Sequence, residues 1–106
     1  MKVLFDQGTP VPLRDALVKH TIETAHERGW STLKNGELLA AAEAAGFEVL
    51  VTTDKSLKYQ QNLAARKLAV VVLLTTSWPR IRLSLPVVAA AVDSAAPGGN
   101  AEVAFE

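Results

Sequence analysis

Residues 49–63 read VLVTTDKSLKYQQNL, and the way the first six end decides the fold. Val49, Leu50 and Val51 form an apolar run, Thr52 and Thr53 extend it, and Asp54 stops it. A short β-branched run bounded by polar residues predicts a buried strand over Phe47–Thr53, with Asp54 just beyond its carboxyl end. Upstream, Gly36–Ala45 is rich in alanine and leucine and predicts a helix. Asn35 is its expected N-cap, and Gly46 its expected left-handed residue at the C-terminus. Downstream, Leu57–Lys67 reads as helix, and Leu68–Leu74 as a fully buried strand.

The flanks repeat the pattern. Lys2–Phe5 is a short apolar run ending at Asp6. Pro12–Val18 is expected to be helical, with proline suited to a first turn. His20–Thr24 reads as a second strand, and Ala25–Trp30 as a helical turn closed by Gly29. Leu85–Ala96 is an expected helix entered through Pro86, and Ala101–Phe105 an expected last strand. No repeat or linker interrupts residues 1–106, which predict a single domain. Strands alternating with helices imply an α/β fold with helices on both faces of a mainly parallel sheet of four or five strands.

Nearly half of the residues (49%) are apolar and none is cysteine, which excludes disulfides, thiolate metal sites and a cysteine nucleophile. The opening MKVLFDQGTP has too short an apolar run for a signal peptide, and the LAVVVLL run of seven is far from a membrane span. A cytoplasmic protein without membrane association is expected. Net charge is zero but segregated: residues 1–54 carry eight acids and five bases, whereas residues 55–92 carry six bases and no acid. Such a basic segment is a possible footprint for a polyanion or, equally, a solvated surface.

Ligands of parallel sheets bind beyond the carboxyl ends of the strands. Asp6 and Asp54 both belong there. On neighbouring strands about 4.8 Å apart their carboxylates could share a cation. Glu37 lies in the first turn of the helix that runs back to the Asp54 strand, so it reaches the same edge. A first-turn acid also complements a helix dipole, and an aspartate after a strand also forms turns.

The stretches KVLFDQGTP, LKNGELLAAAEAAGFEVLVTTDKSLKYQQNL and AVVVL resemble the PIN-like domain family of unknown function, compact relatives of PIN-domain ribonucleases and VapC-type toxins. The resemblance covers about residues 1–75. It implies a compact three-layer PIN-like fold and Mg²⁺- or Mn²⁺-dependent hydrolysis of RNA phosphodiester bonds. It also implies Asp6, Glu37 and Asp54 as catalytic and metal-ligating residues. Lys55 and Lys58 would contact the nucleic acid. PIN enzymes place a further acid beyond the last of these, and Lys55, Ser56, Lys58 and Tyr59 offer none. The alternative is therefore a weakened PIN-like scaffold acting in protein interaction or nucleic-acid binding. A small antitoxin protein or a homodimer is the expected protein partner, since Val87–Val92 is apolar on more than one face.

The remaining conspicuous residues read as structural. His20 and His26 have no ligand-spaced partner, Trp30 and Trp78 suit satellite cores, and Ser31 and Ser56 lack a nearby histidine. A response-regulator receiver would need a second acid at Gln7 and a lysine after the last strand; neither is present.

Overall fold

The computed structural model describes residues 1–57 and 62–105. Five strands, β1 (Lys2–Phe5), β2 (Thr21–Thr24), β3 (Val49–Thr52), β4 (Ala69–Leu73) and β5 (Asn100–Val103), form one sheet in the order β2-β1-β3-β4-β5. Every pairing is parallel. The expected three-layer α/β architecture is observed, with the sheet wholly parallel. Among the described residues no helix is long and apolar enough to cross a membrane.

Alternation along the strands feeds two cores. Val3, Phe5, Val49, Val51, Val71 and Leu73 face one side. There they pack on Leu13 and Leu17 and on the helices α2 (Trp78–Ile81) and α3 (Leu85–Asp93). Leu4, Leu50, Val70 and Val72 face the other side. There they meet Leu38, Leu39 and Ala42 of the helix α1 (Asn35–Ala44), together with Leu57 and Leu63. Each fully buried side chain of this size contributes about 1.5–3 kcal/mol. Both faces are covered, which is why β3 and β4 read as unbroken apolar runs.

Helix α1 ends as its sequence predicts. Gly46 has φ 84°. Its N–H donates to the Glu43 carbonyl at 3.1 Å, and the Phe47 N–H donates to the Ala42 carbonyl at 3.0 Å. These are the two bonds of a Schellman motif. The N-terminus differs from expectation. Lys34, not Asn35, is the N-cap residue, and Asn35 is already helical.

Other boundaries shift for local reasons. The segment expected to be helical over Pro12–Val18 is a 3₁₀ helix at Val11–Ala16. The Leu13 N–H bonds to the Pro10 carbonyl and that of Leu17 to Arg14, the tight pattern favoured in short runs. Of the expected helix Leu57–Lys67, residues 58–61 lie outside the described residues, and Leu63–Ala65 is a 3₁₀ turn. Helix α2 escaped the sequence reading because Pro79 looks like a breaker, whereas it sits in a first turn that tolerates it. Helix α3 stops at Asp93, before the expected Ala96, where the Ser94 hydroxyl donates to the Ala90 carbonyl at 2.8 Å. Trp30 meets Phe47 edge-on at 6.0 Å, the satellite packing expected of it.

Candidate functional site

The loops leaving β1 and β3 go to opposite faces of the sheet. After β1 the chain enters the 3₁₀ helix whose Leu13 joins the α3 side, and after β3 it delivers Leu57 to the α1 side. Neighbouring parallel strands whose loops part in this way define a topological switch point, where a crevice opens beyond the strand ends. Asp6 and Asp54 stand at the heads of these two diverging loops, Asp6 directly after β1 and Asp54 two residues after β3.

Thr52 connects them. Its fully buried hydroxyl donates to Asp6 Oδ2 at 2.7 Å and accepts the Asp54 N–H at 3.1 Å. The β1–β3 register explains the geometry. Phe5 pairs with Val51, so the next residues, Asp6 and Thr52, emerge level with one another. The Asp6 N–H continues the ladder to the Val51 carbonyl at 3.0 Å. The Gln7 N–H donates to Asp6 Oδ1 at 2.7 Å, and the buried Thr9 hydroxyl to the Val51 carbonyl at 2.8 Å. Gly8 lets this turn pass over β3, since a Cβ there would lie 2.4 Å from Thr53 Oγ1.

Asp54 makes a local turn of its own. Ser56 donates to Asp54 Oδ1 from its N–H at 2.9 Å and from its hydroxyl at 2.7 Å. Asn35 Nδ2 donates to Asp54 Oδ2 at 3.3 Å. The Ser56 hydroxyl is the main cause that holds the Asp54 carboxyl below its ordinary value; partial burial opposes it, and the Ser56 N–H and Asn35 amide assist. Asp54 is therefore a carboxylate at neutral pH.

The expected third acid caps its own helix. Glu37 is exposed, and its Oε1 accepts the Lys34 N–H at 3.4 Å, one half of a capping box. Lys34 carries no side-chain acceptor to complete the other half. Asn35 instead occupies the place towards Asp54. Two helical positions are about 200° apart around the axis, so a helix that turns Asn35 to Asp54 turns Glu37 away. The apolar stripe Leu38, Leu39 and Ala42, carried one turn back, lands on Asn35, and this is the signal that sequence reasoning passed over. Among the described residues no three His, Asp or Glu side chains are grouped to hold a metal ion.

Neither a protein-family model, a curated protein nor a solved structure matches the chain.

Among the described residues the basic segment does not form one patch. Lys55 is exposed beside Asp54, and Lys58 lies outside the described residues. Arg66 and Lys67 immediately precede β4, at the opposite edge of the sheet, where Arg66 pairs with Glu43 at 2.5 Å. Arg80 and Arg82 follow β4 and are exposed. The donors at the crevice are hard oxygens, which suit Mg²⁺ or Mn²⁺. Magnesium commonly uses one or two carboxylates and keeps several waters, so Asp6 and Asp54 are the acids at this crevice that could hold it.

Proposed function

We propose that the chain is a PIN-like, metal-dependent ribonuclease that hydrolyses RNA phosphodiester bonds at the crevice between β1 and β3. One observation carries the reading. A buried threonine ties the Asp6 carboxylate to the Asp54 backbone, and both acids head the diverging loops of a switch point, where substrates of parallel sheets bind. Asp6 and Asp54 would hold a hydrated Mg²⁺ or Mn²⁺, which supplies a more acidic water and charge stabilisation at the phosphate. Thr52 fixes the Asp6 carboxylate, and Ser56 and Asn35 fix that of Asp54 and keep it ionised. Lys55, exposed next to Asp54, is placed to meet a phosphate as a point charge. Glu37 would have to leave the Lys34 N–H and swing towards Asp54 to serve as a third ligand.

A second reading has its own support. Both Asp54 oxygens already accept hydrogen bonds, and Glu37 serves its helix cap. A PIN-like scaffold that binds nucleic acid or protein without cutting fits those facts. The antitoxin or homodimer proposed as partner finds Leu83 and Val87 exposed one helical turn apart on the outer side of the α2–α3 segment. Cleavage of single-stranded RNA in Mn²⁺ and in chelator, with wild type and Asp54→Asn, decides between the readings. Metal-dependent cleavage lost in the variant supports the ribonuclease. Cleavage that persists in chelator, or that Asp54→Asn leaves intact, removes it. RNA binding without any cleavage supports the scaffold.

A further inference from the structure

A cavity of 280 Å³ opens at the carboxyl ends of β1 and β2, on the side of Asp6 away from β3. Asp6 forms one wall, Val11 and Arg14 of the 3₁₀ helix another, and His26 and Glu27 the third. Its size stands at the lower end of small-ligand sites, about 300 Å³, and suits one planar group better than a chain.

The walls are built rather than incidental. Thr24 and Glu27 form a reciprocal capping box: the Glu27 N–H donates to Thr24 Oγ1 at 3.0 Å, and the Thr24 N–H to Glu27 Oε1 at 2.9 Å. This fixes the turn that presents His26. Glu27 Oε1 also takes the Arg14 guanidinium, which spans the cavity from the opposite wall. Arg14 Nε is buried and has no hydrogen-bond partner among the described residues. His26 is exposed, and among the described residues its ring makes no hydrogen bond or ion pair, so the ring is available for stacking.

Charge decides what class of group belongs here. Asp6 and Glu27 outnumber Arg14, so a phosphate is disfavoured. A neutral, planar, apolar-faced group with donors and acceptors on its edge is favoured. Val11 and the His26 ring offer the faces; the carboxylates accept and Arg14 donates. Among nucleobases guanine matches most fully, because arginine bonds its O6 and N7 and a carboxylate accepts from its N–H groups.

We propose that this cavity is a nucleobase subsite that takes the base, guanine foremost, of a nucleotide whose phosphate lies towards Asp6 and Asp54. Only the position of that phosphate rests on the ribonuclease reading. The base enters over β2 and β1, and the sugar-phosphate passes Asp6 into the crevice over β1 and β3.

Titration with guanosine 5′-monophosphate in chelator, followed by amide NMR, tests it. Shifts are expected at Gln7, Thr24, His26 and Glu27, with none from ribose 5-phosphate. His26→Ala, which removes an exposed ring without touching the core, should weaken binding about fivefold or more. Arg14→Gln should weaken it similarly. Absence of shifts at these amides, equal binding of ribose 5-phosphate, or unchanged binding in both variants would overturn the subsite. Asp54-dependent RNA cleavage without a nucleotide response here sinks the subsite alone. Nucleotide binding here without metal-dependent cleavage sinks the ribonuclease and leaves the subsite standing.

Discussion

The Thr52 hydroxyl donates to Asp6 Oδ2 at 2.7 Å across two neighbouring parallel strands, and the same oxygen accepts the N–H of Asp54. One buried hydroxyl therefore sets the position of one carboxylate and the backbone beneath the other. Thr52→Val keeps the shape but leaves an Asp54 N–H and an Asp6 oxygen without this partner. A loss of about 1–2 kcal/mol in urea unfolding is expected. RNA cleavage should fall more steeply than stability. Unchanged stability would show that water replaces the hydroxyl at no cost.

The acids should not respond alike. Asp6→Asn and Asp54→Asn are expected to abolish Mn²⁺-dependent cleavage and to weaken Mn²⁺ binding, measured by calorimetry. Glu37→Gln should be much milder, since glutamine also caps the Lys34 N–H. Lys55→Ala should lower cleavage and leave metal affinity near wild type, because Asp54 is held by Ser56 and Asn35 and not by Lys55. Tighter metal binding in Lys55→Ala would instead mean that the lysine competes with the cation.

Ser56→Ala isolates the pH dependence of Asp54. The folded carboxyl lies below its ordinary value of 3.8, so the stability it contributes is present above that value and lost as pH falls through the folded one. Wild type should exceed Ser56→Ala by a constant margin from neutral pH down to the ordinary carboxylate range. The margin should close at lower pH. Urea unfolding of both proteins across that range measures it, and a margin that widens towards acid would contradict the assigned cause.

Gly8→Ala drives a methyl group to within 2.4 Å of the Thr53 hydroxyl. Either Thr53 turns its side chain or the Asp6–Thr9 turn shifts, at a cost of about 1–3 kcal/mol. Thr53→Ala removes the obstacle, so the double variant should recover most of the loss. Additive losses in thermal melts would place the strain in the backbone instead.

How much was legible follows from which interactions are local. The strands at Lys2–Phe5 and around Val49–Thr52, helix α1 and its Gly46 terminus all follow from side-chain type and spacing within a few residues. The emergence of Asp6 and Asp54 at one edge follows too, because strands joined by helical crossovers run parallel. The short helix α2 was hidden by a proline whose effect depends on its position in the turn.

Tertiary structure decided the rest. The order β2-β1-β3-β4-β5 places Asp6 and Asp54 on neighbouring strands with diverging loops, and no local pattern encodes which strands adjoin. The rotation of α1 is set by burial of Leu38, Leu39 and Ala42 against the sheet. That packing brings Asn35 to Asp54 and sends Glu37 to solvent, although either residue stood at the right edge by sequence. The cavity beside Asp6 likewise needs Arg14 and His26, from segments separated by a strand, to meet across β1 and β2. Sequence fixes which residues reach the edge of the sheet, through backbone periodicity. Side-chain packing over long chain separations selects which of them face one another.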